Sequence, residues 1–287
     1  VLGGGSSVNA MCYVRGQRQD YDDWHAGGAT GWSYADVLPV FKAQEANTRL
    51  DEPYHGKSGP LIVGDQEYGH PANRAFIEAA VEAGLRRSTD FNGERQDGAG
   101  FHQLTSFRGI RRSAATAFLA PVAHLPTLDV AFETRIERIG FTGRRAERLE
   151  VREAGGAERI YRARKEIILT AGAFNTPKLL MLSGVGPAEE LKKAGVDVVV
   201  DSPDVGRNLQ DHIDCGVLYH CTKPITLYSL LKGHRQTMVG IQYMIDKSGH
   251  GRTIHLHTGA FLKTRPDLDI PDIQIHFVNA LMRDHGR

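Results

Sequence analysis

Cysteine is scarce. Cys12, Cys215 and Cys221 are the only three in 287 residues, too few and too scattered for a disulfide scaffold, and none belongs to a CxxC pair. Nothing in the sequence therefore demands an oxidising compartment. No stretch approaches the ~18 consecutive apolar residues of a membrane-spanning helix, and no signal-like apolar region is present. The expectation is a soluble, cytoplasmic protein. Net charge is almost absent as well: 35 Lys and Arg against 34 Asp and Glu leave +1, so no global field draws the chain to nucleic acid or to an anionic membrane. Repeats, low-complexity tracts and charge blocks long enough to act as a tail are missing. The short pairs Arg111-Arg112 and Arg144-Arg145 read as solvated surface.

Several chemical signatures are missing too. GxGxxG does not occur; the nearest stretch, Gly184 to Glu189, lacks the last small residue. The absence of a P-loop GK[ST] argues against a nucleoside triphosphatase, and the absence of GxSxG removes the hydrolase nucleophile elbow. The chain opens at Val1 directly into a glycine cluster and stops at Arg287 soon after a strand-like stretch, so both ends are expected to be cut.

What is present is ordinary globular composition. Hydrophobic residues make up 41%, Gly numbers 32, and the length suits one large domain or two ordinary ones. The segment from Pro71 to Gly84 places Phe76, Ile77, Ala80 and Val81 on one face between Pro and Gly, which predicts a helix. From Pro187, acids first and lysines last predict a short helix stopped at Gly195, followed by an apolar strand from Val196 to Val200. From Lys165, Ile167 to Leu169 predict a buried strand, then a small-residue turn and a helix with Thr176 as N-cap and Pro177 at its first position. Alternation between Thr127 and Tyr161, broken at Gly140, Gly143 and Gly155-Gly156, predicts a β-meander. A long helical stretch is expected from Leu227 to Lys247 and a strand from Asp272 to Ala280, with a domain boundary near 211–216.

Two glycine-rich places invite a ligand. At the opening, Gly3, Gly4 and Gly5 precede Ser6 and Ser7, where backbone can approach a phosphate; on residues alone an ordinary loop fits as well. The turn at Ala171, Gly172 and Ala173 leaves the same room beyond a strand end, or simply packs helix on sheet. His255 and His257, two apart on a strand, would share one face as a metal pair requires, but no third ligand can be assigned. Asp211-His212 would be a polarised pair only if the two side chains turned together, so a structural role is expected.

Four stretches occur in order: VLGGGSSVNAMCYVRGQRQDYDDW from Val1, GWSYADVLPVFKAQE from Gly31, GAFNTPKLLMLSGVGP from Gly172, and VGRNLQDH from Val205. Together they resemble the glucose-methanol-choline (GMC) family of flavin oxidoreductases, the first and third being similar to its two signature motifs. The resemblance implies a mixed α/β fold. Residues 1–215 would form an incomplete, Rossmann-like FAD-binding domain whose dinucleotide fingerprint is missing, and 216–287 the start of a substrate domain built on an antiparallel sheet. It implies choline dehydrogenase-like oxidation of an alcohol, with hydride passing to the flavin N5 while a histidine removes the hydroxyl proton. Gly3, Gly4, Ser6, Ser7, Asn9, Ala10 and Met11 would line the FAD, the last three near the isoalloxazine ring. Ile136 matches the position that meets the adenine, and Ala171 and Gly172 the site near the adenosine and phosphates.

The opening-loop His that some members link covalently to flavin is matched by Val8, so non-covalent FAD is expected. The family's catalytic His and its His or Asn partner would lie beyond Arg287, so no catalytic residue and no metal ligand is assigned, and the isolated chain is expected to be inactive and to hold FAD poorly. The choline-oxidising branch carries a Glu where this sequence has His257, ahead of Thr258-Gly259-Ala260-Phe261; with neither carboxylate nor aromatic cage there, an uncharged alcohol is the expected substrate. The electron acceptor would be oxygen or a quinone, and relatives that reduce quinone imply peripheral placement at the inner membrane. Two alternatives stand: a non-catalytic fragment or split-protein piece, and a hydroxynitrile lyase-like member of the same fold.

Overall fold

The computed structural model describes residues 1–252 and 256–280. A 3-10 turn over Gly4–Ser7 precedes helices α1 (Arg18–Ala26) and α2 (Tyr34–Gln44). Both helices open on a capping box, Gln17 with Asp20 and Ser33 with Asp36, which satisfies amides that a helix start leaves open. Strands β1 (Glu45–Asn47) and β2 (Leu61–Val63) pair in parallel, and α3 (Pro71–Glu82) follows. Next come β3 (Arg87–Ser88), β4 (Gly98–Phe101), and a hairpin of β5 (Ser106–Phe107) and β6 (Ile110–Arg111). A three-stranded meander is made of β7 (Arg135–Thr142), β8 (Arg145–Arg152) and β9 (Glu158–Arg162), followed by α4 (Gly172–Leu182), β10 (Val185–Gly186), α5 (Ala188–Lys193) and β11 (Val200–Asp201). The last described elements are α6 (Gly233–Asp246), β12 (Thr258–Leu262) and β13 (Ile273–Phe277).

By its contacts the chain forms two units. The first takes Val1–Leu125 together with the chain from Leu218 on; the second is Pro126–Val217. The expected boundary near 211–216 lies at the end of the second unit, while the first draws on both sides of it. The reason is a sheet in the order β13-β12-β4-β3, in which β12 pairs antiparallel with both β13 and β4. Helix α3 packs on this sheet. Its buried and half-buried residues Asn73, Phe76, Ile77, Ala80 and Val81 repeat at helical spacing, and the Phe76 ring stacks on Phe277 at 4.9 Å. In the second unit, β7-β8-β9 form an antiparallel sheet turned at Gly143 and at Gly155-Gly156.

Several expected elements differ. Residues Ile167 to Leu169 form no strand, and Ile168 is 74% exposed. A strand exists only against a neighbour, and none among the described residues runs alongside. Helix α4 starts at Gly172, with Ala171 as N-cap, rather than at Pro177. Pro177 therefore sits inside the helix, where its ring nitrogen cannot bond the Ala173 carbonyl and one rung is lost. The strand expected over Val196 to Val200 is reduced to Val200–Asp201, paired with Val185–Gly186. The stretch from Leu227 to Lys247 is divided at Lys232, whose extended backbone separates a 3-10 turn, Leu227–Leu231, from α6.

The first unit is held at its centre by charge. Arg15 and Glu45 are both buried and paired at 2.6 Å, and the Arg15 guanidinium also reaches the Tyr54 carbonyl at 2.8 Å. His55 bridges two carboxylates, Nδ1 to Glu45 at 3.0 Å and Nε2 to Asp90 at 3.0 Å. Burial alone would push the imidazole pKa down; its bonds to Asp90 and Glu45 outweigh that and raise it to about 9. As an imidazolium it donates to both acids, which leaves the Asn47 amide free to donate to Glu45 at 2.8 Å and to Gln103 at 2.7 Å. Glu45 and Asp90 are held below the usual carboxylate range, the hydrogen bonds and charges of these partners overcoming their desolvation.

His55→Leu would leave two carboxylates without their shared proton donor and is expected to cost about 3–5 kcal/mol in urea unfolding at neutral pH. His55 also sets a pH dependence: its contribution is complete below the unfolded imidazole pKa of ~6.5 and is lost as pH rises through about 9. The parent's unfolding midpoint should fall on that alkaline limb. The variant's should not.

Candidate functional site

The opening segment is a preformed loop. Gly3 and Gly4 take left-handed backbone, φ 85° and 56°, around the Gly4–Ser7 turn. Ser6 Oγ donates to the Gly3 carbonyl at 2.5 Å and accepts from the Ala114 amide at 2.8 Å, while Ser7 Oγ donates to the Leu2 carbonyl at 2.6 Å. Asn9 Oδ1 accepts from the Met11 amide at 3.1 Å and from Arg111 at 2.9 Å, and the same guanidinium reaches the Ser6 carbonyl at 3.1 Å. The hydroxyl and amide groups of Ser6, Ser7 and Asn9 thus shape the loop itself. Arg111, read from sequence as solvated surface, is instead the brace across the loop; a long-range contact of this kind leaves no mark on local spacing.

Beyond the loop the chain is fastened. Met11 is buried and takes the left-handed region at φ 59°, a strained conformation for a side chain of its size. Its carbonyl accepts from the Thr105 amide at 2.8 Å, Cys12 bridges Leu104, and the Tyr13 amide donates to the Gln103 carbonyl at 2.8 Å. Arg15 then enters the buried charge network. Gly4 and Gly5 face open space, where an added Cβ would meet nothing within 4 Å, and Val8 is 72% exposed. The expected residues Gly3, Gly4, Ser6, Ser7, Asn9, Ala10 and Met11 therefore lie in one short segment of the first unit, with Met11 turned into its core.

The other three lie in the second unit. Ile136 pairs with Val151 in β7-β8 and is partly exposed. Ala171 caps α4, and Gly172, at φ 88°, begins it with open space at its missing Cβ.

A histidine cluster lies at one end of the β12-β4 pair. His102 is buried, its amide donates to the His257 carbonyl at 2.8 Å, and among the described residues neither of its ring nitrogens has a hydrogen-bond partner. Its ring lies 5.5 Å from that of His276 and 5.2 Å from Phe91. Gly259 makes this possible, because a Cβ there would stand 2.5 Å from His102 Nε2. His257 is buried as well, with Nδ1 accepting from Asn73 at 3.0 Å. His255 lies outside the described residues, among which no three His, Cys, Asp or Glu side chains could hold a metal ion. Asp211 and His212 are exposed, and the carboxylate accepts from the His212 backbone amide at 2.8 Å rather than from its ring.

With the geometry in view, comparison with known proteins places the chain. The family model for GMC oxidoreductases matches residues 1–214, and the chain belongs to that family. It is 44% identical over all 287 residues to the oxygen-dependent choline dehydrogenase of Brucella anthropi and 44% identical to the mitochondrial choline dehydrogenase of Homo sapiens, covering 52% and 48% of them. It thus spans about half the length of the curated relatives it matches. Among solved structures it is similar to the formate oxidase of Aspergillus oryzae, with TM-score 0.85 and 25% identity over 98% of this chain and 54% of that one. Pyridoxine 4-oxidase from Mesorbium loti superposes with TM-score 0.76 and 33% identity, over 90% of this chain and 47% of its own. The mixed α/β fold is that of the GMC flavoenzymes.

Burial, first, and then the charges of His276 and His257 lower the His102 pKa from 6.5 to about 4. The unfolded chain takes up this proton below ~6.5 and the folded chain does not until about 4, so stability is lost as pH falls between the two, by on the order of 3 kcal/mol. Urea midpoints measured from pH 7 to pH 4 should fall less steeply in His102→Phe than in the parent.

Proposed function

We propose that this chain is part of an FAD-dependent oxidoreductase acting on the CH–OH group of an alcohol, with its FAD held non-covalently. One observation carries the reading: the backbone at Gly4 and Gly5 is open to a ligand while Ser6, Asn9 and Arg111 hold its shape from behind. The residues fit such a group, since a broad, flat, anionic cofactor needs bare backbone and a fixed loop more than it needs side chains. Gly3, Gly4, Ser6 and Ser7 would meet the cofactor through main chain, with Asn9, Ala10 and Met11 near its ring system. Ile136, Ala171 and Gly172 of the second unit are proposed as contacts to its adenosine and adjacent phosphates. FAD, when bound, supplies a hydride acceptor for the carbinol carbon.

The chain's own residues act by position. Arg111 and the buried network fix the loop before binding, so little ordering entropy remains to be lost. Val8 offers no nucleophile at the exposed position where some relatives tether their flavin. An uncharged alcohol is the proposed substrate, because His257 stands where the choline-oxidising branch carries a carboxylate and the neighbouring His102 is held neutral. Oxygen or a quinone is the proposed electron acceptor. Residues 1–215 would serve the cofactor and those from 216 the substrate.

In the intact protein, acid precipitation should release all flavin to the supernatant; flavin remaining with the pellet would contradict the non-covalent reading. Gly4→Val, which combines a left-handed position with a branched side chain, should lower the FAD-to-protein absorbance ratio at least ~tenfold without unfolding the protein. An unchanged ratio would remove the opening loop from the site.

A further inference from the structure

Helix α3 opens on a cap that titrates. Its N-cap residue is His70, buried, whose Nδ1 accepts from the Ala72 amide at 3.2 Å. A ring nitrogen accepts only while it carries no proton, so the proton of the neutral imidazole sits on Nε2, and the ring donates from there to the Ile225 carbonyl. The His250 ring stands 6.4 Å away, in the 3-10 turn Gly249–Arg252 that follows α6, and its Nε2 is 2.8 Å from the Tyr68 hydroxyl. His70 thus faces both ends of the segment from Ile225 to Arg252, which carries α6.

The same segment reaches the opening loop. The Tyr243 hydroxyl of α6 donates to the Gly109 carbonyl at 2.8 Å. Gly109, between β5 and β6 with φ 70°, packs so closely on the segment that a Cβ there would stand 2.9 Å from the Lys247 carbonyl oxygen and 3.0 Å from Arg252 Cγ. Arg252 pairs with Glu67, which also accepts from the Arg108 amide at 3.2 Å. Two residues beyond Gly109 stands Arg111, the brace on Ser6 and Asn9. Docking of the α6 segment therefore holds the hairpin that holds the loop.

Protonation works against this arrangement at one place. An imidazolium at position 70 cannot accept from Ala72, puts positive charge at a helix N-terminus and faces His250. Burial lowers the pKa of His70 against the pull of the Ile225 carbonyl, and burial, then the charge of His70, lowers that of His250. The other charges around the two rings are Glu67 and Arg252, paired with each other, and Arg74, whose guanidinium lies 4.0 Å from where a Cβ of Gly69 would stand. Burial raises the pKa of the Tyr68 hydroxyl, which stays neutral. A released ring takes up its proton near ~6.5 and a docked one only at lower pH, so docking is present in full above ~6.5 and weakens as pH falls, by up to about 30-fold per ring at pH 5. We propose that His70 and His250 form an acid-sensitive clasp, which fastens the segment from Ile225 to Arg252 to its unit while both rings are neutral and, on protonation, loosens that segment together with the Arg111 brace of the opening loop. The inference concerns the shape of the loop and stands apart from the flavin reading.

The test is hydrogen exchange of the intact protein at pH 7 and pH 5, followed by mass spectrometry, with rates corrected for the intrinsic effect of pH. Between the two, peptides of α6 and of the loop from Gly4 to Met11 should lose at least ~tenfold more protection than those of β4 and β12 in the same unit. His70→Asn keeps a side-chain acceptor for the helix start and removes the titrating ring, so this excess loss should shrink at least ~threefold. If the variant leaves α6 unprotected already at pH 7, His250→Gln, which keeps a hydrogen-bonding partner for the Tyr68 hydroxyl, decides by the same criterion. The proposal is overturned if α6 loses no more protection than β4 and β12, if the substituted protein keeps the parent's pH dependence, or if α6 is released while the loop keeps its protection.

Discussion

The buried ion pair of Arg15 with Glu45, continued through His55 to Asp90, is the constraint on which the first unit depends. It joins segments that no long helix or sheet connects, and its members come from positions 15, 45, 55 and 90. An apolar cluster of the same volume could match its stability, but would not fix which oxygen faces which nitrogen. Here the partners are specific: the Arg15 guanidinium lies over the rings of Tyr13 and Phe41, Glu45 also accepts from the Gly56 amide, and Asn92 takes the Arg15 amide at 2.7 Å. The protonated state of His55 completes the set, because only an imidazolium can donate to both acids.

From this anchor the opening segment inherits its shape. Residues 11–13 are bonded to 103–105, so the chain leaves the core in one direction, and Arg111 and Ala114 catch it again at Ser6 and Asn9. What remains uncovered is the backbone of Gly4 and Gly5. A loop braced in this way keeps one shape, and the strained Met11 is tolerated because its neighbours over-determine it. The histidine cluster shows the opposite electrostatic design. Among the described residues His102 has no acid beside it and stays neutral, where His55 lies between two acids and stays charged.

Local signals were readable where the physics is local. Helix α3 follows from Pro at its start, Gly beyond its end and apolar residues at helical spacing, and the meander from alternation broken by glycines. The opening loop was recognisable only through its resemblance to a family, because glycine and serine alone fit any turn. Long-range polar contacts left no sequence signal at all: nothing in the spacing of Arg15, Glu45, His55 and Asp90 brings them together, and Arg111 looked like surface. Pro177 misled because proline usually opens a helix, whereas here Gly172 does so and the proline is tolerated one turn in. Ile167 to Leu169 have the composition of a strand, but composition cannot supply the neighbour that a strand requires.

The most direct test of the account is an anaerobic titration of the intact protein with a primary aliphatic alcohol, following the oxidised-flavin absorbance. Bleaching of that band, in proportion to alcohol and reversed by an electron acceptor, is the predicted result. A protein that carries FAD yet keeps its oxidised spectrum with every alcohol tried would contradict the oxidoreductase reading and leave the flavin a structural element.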